Sequence, residues 1–339
     1  MSKHLLPAIL TVASAMAQTP APRPSAMNLP TDQLISEPGP AFRIADSELG
    51  SPATIIAYGD TRFTDPSNVR STNPKVRRWL VEKIASEKPA AILINGDLPL
   101  SGGTANDYVV YQTETQIWRD NHVHVFQTLG NHEFGGGNPQ QALENWWSAF
   151  PEMRNRRWYA AQVGSRVYTM AIDSDAPLTF GSDQDRWIRQ QLGALPSTVD
   201  FLLIAIHHPP VADIQTHIEV DHNPRPNEIA LRDLLSEMAP KMHARILVSA
   251  GHIHNYERNT VNDVVYLVSG GGGAPPYFVE RTKDDQYKSI MFPNYHYVKL
   301  TLLADRLHAE MVKLIDPEAD QPVWQVKDTF DLLVKPSGR

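Results

Sequence analysis

The chain has 339 residues, 42% of them hydrophobic and 20% charged, with 13 histidines and no cysteine. The missing thiol excludes disulfides, thiolate metal sites, iron–sulfur clusters and cysteine nucleophiles, so any metal must rest on His, Asp, Glu, Asn or backbone oxygen. A formal charge of −7 gives no general attraction to nucleic acid or to an anionic membrane.

Lys3 and His4 precede an apolar run from Leu5 to Met16, and small residues (Ala15, Ala17) stand at −3 and −1 of a cleavage point before Gln18. This pattern predicts a secretory signal over residues 1–17, and hence export to the periplasm or the medium. Six prolines between positions 20 and 40 mark an extended linker, so residues 18–45 read as an N-terminal extension and 46–335 as one folded domain.

Ala53–Tyr58 is a short apolar, β-branched run and reads as a buried strand ending at Gly59-Asp60. Asn73-Pro74 supplies a cap and a first-turn proline for a helix to about Glu87. Ala90–Ile94 is a second strand, ending at Asn95-Gly96-Asp97; residues 106–121 form a helix, and Val123–Thr128 a third strand, ending at Gly130-Asn131-His132-Glu133. His122 and His124 alternate about that strand's start, which puts one of them inside. Residues 158–163 and 166–172 form a hairpin, and 183–192 an amphipathic helix. Phe201–Ile206 runs into His207-His208, residues 246–249 into Gly251-His252-Ile253-His254, and Val264–Ser269 into four glycines; residues 295–303 and 306–314 pair as antiparallel strands. Strand–helix alternation followed by strand pairs implies an α/β sandwich.

Five strands each end in a polar cluster: Asp60, Asp97, Asn131-His132, His207 and His252-His254. Open α/β sheets bind ligands outside the carboxyl ends of their strands, so these side chains can converge. Two Asp, one Asn and several His suit Zn, Mn, Fe or Mg. The glycine quartet lacks the Lys-Ser/Thr of a P-loop, and no Gly-x-Ser-x-Gly elbow supports serine catalysis. The quartet reads as a turn packed beneath the site.

In order and context these clusters resemble the calcineurin-like metallophosphoesterase family; GHIHNYER (251–258), His207-His208-Pro209 and VSGGGGAP (268–275) are most similar to its purple acid phosphatase-like branch. The resemblance implies a four-layer α/β/β/α sandwich with mixed sheets and two divalent or trivalent metal ions. It assigns Asp60 and His254 to the first metal, Asp97 to a bridge, and Asn131, His207 and His252 to the second metal. It also implies hydrolysis of a small phosphate ester by in-line attack of metal-bound hydroxide. His132 then contacts phosphate or protonates the leaving oxygen, and Glu133 orients His132 or holds the loop. Phosphomonoesters are the favoured substrates. A phosphodiesterase or nucleotide hydrolase on the same site, or a degenerate phosphate-binding protein, are the alternatives. No nucleic-acid partner and no stable membrane insertion are expected.

Two departures matter. The family's usual Asp-x-His is here Asp60-Thr61-Arg62, and the tyrosine ligand of the purple enzymes is replaced by Leu100. Arginine keeps its proton and cannot ligate a cation, so the first metal site is depleted and weak. Arg62 either clamps a substrate phosphate or pairs with a surface carboxylate such as Asp65. His217 and His222, in the polar loop 213–227, are candidates to reach substrate or complete the first site.

Overall fold

A computed structural model describes residues 39–216 and 222–336. The segment 1–17, most of the proline-rich extension and His217 lie outside the described residues.

Six strands form one sheet. Ala53–Tyr58 (β2), Ala91–Ile94 (β3) and His124–Gln127 (β4) run parallel, in the order β2-β3-β4. His296–Leu302 (β11), Arg306–Leu314 (β12) and Trp324–Leu333 (β13) extend it antiparallel from the other side of β2. Seven strands form the second sheet: Phe42–Ile44 (β1), Tyr159–Val163 (β5), Val167–Ile172 (β6), Phe201–Ile206 (β7), Arg245–Ala250 (β8), Val264–Ser269 (β10) and Tyr256–Val261 (β9), in that spatial order. The pairs β6-β7, β7-β8 and β8-β10 are parallel, and β5-β6 is the antiparallel hairpin expected across Gly164.

The two-residue period of a strand shows how the layers stack. On β7, Phe201, Leu203 and Ala205 join the large core shared with the six-stranded sheet. Leu202, Ile204 and Ile206 join a separate core under Asp183–Gly193 (α5) and Pro226–Met238 (α6). A strand apolar on both faces is what a parallel sheet covered on both sides requires. Pro74–Ser86 (α1), Ala105–Glu114 (α2), Gln116–Asp120 (α3) and Pro139–Ala149 (α4) add Val76, Leu80, Tyr108, Trp118 and Trp146 to the large core. The result is the expected sandwich of two mixed sheets between helices.

Several boundaries follow from local chemistry. Asn73 Oδ1 accepts from the Val76 N–H at 3.1 Å, and Pro74 follows as the first helical residue of α1. The single helix read over 106–121 is two: at Thr115 the hydroxyl donates to Tyr111 O (2.6 Å), and α3 starts afresh at Gln116. Phe42–Ile44 falls inside the stretch assigned to the extension, yet it pairs parallel with β5. His122 and His124 are both exposed, His122 on a turn with φ 54°, so neither faces the interior.

Arg77 on α1 is fully buried. It holds Glu114 through Nε (2.8 Å) and Nη2 (2.5 Å), and donates to the carbonyls of Arg62 (3.1 Å) and Thr64 (3.2 Å). Removing one partner of a buried pair leaves the other charge uncompensated. Because Glu114 is partly exposed, Glu114→Ala is expected to cost about 2–3 kcal/mol in urea unfolding. A change below about 0.5 kcal/mol would show that the carbonyls alone satisfy the guanidinium.

Candidate active site

The loops leaving β2, β3, β4, β7 and β8 meet where the carboxyl ends of the two sheets face each other. Asn95, just past β3, ties the sheets together: its Nδ2 donates to Ser249 Oγ (2.8 Å) and its carbonyl accepts from His207 Nδ1 (2.9 Å). Close approach is built into two glycines. A Cβ on Gly130 would stand 2.5 Å from Asp97 Oδ1, and one on Gly251 2.5 Å from Asp60 Oδ2. Four non-glycine residues here, Asp60 (φ 61°), Arg62 (47°), Asp97 (52°) and His252 (69°), hold left-handed backbone, a strain that clusters where geometry serves chemistry. The quartet 270–273 does lie beneath the site: Gly272 N–H donates to Gly59 O (2.9 Å) and Ala274 N–H to Asp60 O (2.9 Å).

Backbone carbonyls set the tautomers of three histidines. A carbonyl only accepts, so His207 Nδ1 (to Asn95 O), His254 Nδ1 (to Pro275 O, 2.6 Å) and His132 Nδ1 (to Leu100 O, 2.5 Å) each carry the proton. Each Nε2 then presents its lone pair to the site.

These lone pairs fall into two groups around Asp97. In the first sheet-to-sheet group, His207 Nε2 lies 3.2 Å from Asp97 Oδ1 and 3.0 Å from Asn131 Oδ1. Three acceptors that close to one another need a proton or a cation between them. In the other group, His254 Nε2 lies 3.4 Å from Asp60 Oδ1 and is buried without a hydrogen-bond partner, as is Asp97 Oδ2. The group around His207 therefore has a donor set that fits a divalent metal. The ligand atoms of Asp60, Asp97 and His207 lie within 4.8 Å of one another, and so do those of His207, His208 and His252.

Electrostatics agree with this picture. Burial alone would raise Asp97, but His132, His207 and Arg62 hold it well below the usual carboxylate range. Burial pushes His207 down, yet Asp97 and Asp60 outweigh it and its proton affinity rises. Burial and the neighbouring His207 keep His252 far below the ordinary histidine value.

Arg62 does not pair with Asp65, whose carboxylate accepts from Ser67 N–H (2.8 Å). Its guanidinium turns inward, Nη2 3.6 Å from Asp97 Oδ2, with the side chain only 15% exposed. His132 Nε2 lies 3.7 Å from the same oxygen. Glu133 does not touch His132. It accepts the N–H groups of Asp97 (3.1 Å), Leu98 (2.9 Å) and Gly130 (2.8 Å), which makes it the loop-holding residue of the two roles considered.

His208, the neighbour and rival of His207, holds Ser174 Oγ through Nδ1 (2.8 Å), its ring 4.3 Å from that of His252. His222 packs against His252 (5.3 Å) and stacks on Tyr277 (4.8 Å), beside a cleft of about 200 Å³ that Arg225 and Glu228 also line. Tyr277 itself was not singled out in the sequence. Its ring stacks on His254 at 4.1 Å, and its hydroxyl reaches Arg62. The only sequence signal for it is its place just after the glycine quartet.

The model of calcineurin-like phosphoesterases matches residues 53–256. No curated protein matches the sequence significantly. Among solved structures, the chain is similar to purple acid phosphatase PPD1 from yellow lupin (Lupinus luteus) seeds, with a TM-score of 0.64 and 17% identity over 84% of this chain and 54% of that one. It thus spans about half the length of the lupin protein. It is also similar to PhoD (TM-score 0.59, 13% identity, 88% of this chain and 71% of that one) and to GAP50, described as the anchor in the inner membrane complex of Plasmodium (0.54, 14%, 84% and 89%). At such identities the likeness is one of fold. No helix among the described residues is long and apolar enough to cross a membrane.

Proposed function

Because the chain belongs to the calcineurin-like phosphoesterase family, we propose that it is an exported, metal-dependent hydrolase of small phosphate esters, with phosphomonoesters preferred. One observation carries the reading: His207 Nε2 lies within 3.2 Å of both Asp97 Oδ1 and Asn131 Oδ1, with the ring of His252 beside it. Asp97, Asn131, His207 and His252 would hold a dication there. Asp60, His254 and the second oxygen of Asp97 form the weaker set. A bound dication supplies neutralising charge for the phosphoryl oxygens and acidifies a water.

The chain's own residues do the rest. Arg62, turned inward and always charged, meets the phosphoryl oxygens as a planar fork, and suits a terminal dianionic phosphate better than a diester. Asn131 orients the ester through its amide. His132, its Nδ1 proton committed to Leu100 O, turns Nε2 to the leaving oxygen; protonated there as well, the imidazolium would pass that second proton to the alkoxide and return to the neutral ring. Phosphorus is attacked directly by water, without a phosphoenzyme.

Hydrolysis of a panel of monoesters, diesters and nucleotides, run with Mn, Zn, Fe, Co and Mg in turn, tests the reading. Turnover of monoesters is expected to exceed that of diesters. Faster diester or nucleotide turnover would move the substrate class, and no turnover with any metal would leave a phosphate-binding protein. His132→Ala is expected to slow alkyl phosphates by about 10²–10⁴-fold while leaving metal content unchanged. Aryl phosphates with good leaving groups need less protonation and should slow less. Equal losses on both would remove His132 from the role of acid.

A further inference from the structure

The weaker of the two acceptor sets already has a cation beside it. His254 Nε2 lies 3.4 Å from Asp60 Oδ1, and the other carboxylate on this side of the site, Asp97, turns its Oδ2 to the guanidinium of Arg62 at 3.6 Å. The backbone that delivers it is fixed on every side. Arg62 N–H donates to Asp97 O (3.0 Å), Phe63 N–H to Leu98 O (2.7 Å), and Arg62 O accepts from the buried Arg77 (3.1 Å). Tyr277, whose ring is stacked on His254, interacts with Arg62 through its hydroxyl. Arg62 Nε is buried and has no hydrogen-bond partner, so the fork keeps a donor free.

An arginine cannot shed its proton to make room for a metal, nor can it become a ligand. A dication bound through Asp97 Oδ2 would therefore stand next to a permanent positive charge in a buried setting, where little water screens the two. The guanidinium already offsets one of the two carboxylate charges, at Asp97 Oδ2, while Asp97 Oδ1 faces His207 of the other set.

We propose that Arg62 takes the place of the first metal. On this account, which rests on the metal-dependent phosphoesterase reading above, the working protein holds a single dication, and the guanidinium is the second positive charge that meets the phosphoryl group.

Metal stoichiometry tests this without reference to turnover. The full chain, stripped with a chelator, is dialysed against Mn²⁺, and manganese per chain is measured together with its paramagnetic resonance spectrum. One ion per chain is expected, with the resolved hyperfine pattern of an isolated ion. Arg62→His restores an imidazole at a left-handed backbone position that His tolerates. It is expected to bind a second ion at least about tenfold more tightly and to show the broadened spectrum of a coupled pair. Arg62→Asn, equally tolerant of that backbone, removes the charge without adding imidazole and should shift the second binding in the same direction by less. Two tightly held, coupled ions in the unmodified chain would overturn the inference and leave the phosphoesterase reading standing. Folded Arg62→His and Arg62→Asn proteins that still hold one ion would likewise overturn it. An unmodified chain that binds no manganese would overturn both.

Discussion

Asp97→Asn is expected to reduce hydrolysis on the order of 10³-fold or more while the protein remains folded. Asp97 stands at the middle of the site: Oδ1 lies 3.2 Å from His207 Nε2, and Oδ2 lies 3.6 Å from Arg62 Nη2 and 3.7 Å from His132 Nε2. Its charge is what holds a dication against three neutral neighbours, and what sets Arg62 and His132 around one point. An asparagine keeps the shape. Its Oδ1 can still accept the His132 N–H that Asp97 accepts at 3.0 Å, and asparagine tolerates the φ of 52° that this position requires. Its amide N–H₂, however, would present a donor to Arg62, which is a donor itself, and the charge that Arg62, His132 and His207 surround would be gone. The measurements are turnover of an aryl phosphate, metal content and thermal melting. Loss of turnover and metal with a melting temperature within a few degrees assigns the effect to chemistry. Activity within tenfold of the unmodified protein would remove Asp97 from the centre of the site.

The parts of this molecule that could be read in advance are those where one physical signal dominates. β7 is six apolar residues and β2 is five with Thr54 among them, each followed by a polar cluster, and their boundaries are as expected from that pattern alone. The site was legible for the same reason: each buried strand stops at a turn, and the first polar residues after it have only the sheet ends to occupy. Elsewhere the signals are short and local. Asn138-Pro139 opens α4 with the same cap and proline that open α1, its Oδ1 accepting from Gln140 N–H (2.9 Å). α6 starts with Pro226 and a Glu228 carboxylate that reaches back to Arg225 N–H (3.2 Å), followed by Leu231, Leu234 and Leu235 at helical spacing. β9 and β13 are harder cases. Tyr256–Val261 and Trp324–Leu333 are largely polar edge strands, each paired on one side only, with its neighbour in the chain, so no apolar run marks them. The inward turn of Arg62 has no mark in the sequence either. A clamp and a surface pair with Asp65 are equally consistent with three adjacent residues. The tie is broken by Arg77, which arrives from another helix and holds the Arg62 carbonyl.

Glu133→Ala should be the most damaging change to stability near the site, at about 4 kcal/mol. Glu133 is buried, and its two oxygens accept three backbone N–H groups from two loops, those of Asp97 and Leu98 after β3 and that of Gly130 after β4. An alanine leaves all three donors without a partner in a place water does not reach. Each orphaned group costs about 1–3 kcal/mol, and some relaxation of the loops recovers part of the sum. Against a total stability of about 5–15 kcal/mol, that is enough to leave a large unfolded fraction at 37 °C. Glu133→Gln separates shape from charge. It fills the same space and keeps one acceptor oxygen, but turns a donor toward a donor, so a loss of about 2 kcal/mol is expected. Urea unfolding of the three proteins gives these differences, and metal content measured on the folded fraction gives the consequence for the site. Because the N–H groups that Glu133 holds belong to Asp97 and to the glycine before Asn131, the alanine variant should lose metal together with stability. An alanine variant that unfolded at the same urea concentration as the unmodified protein would mean that the loops keep their shape without the carboxylate, and that Glu133 acts on Asp97 through charge alone.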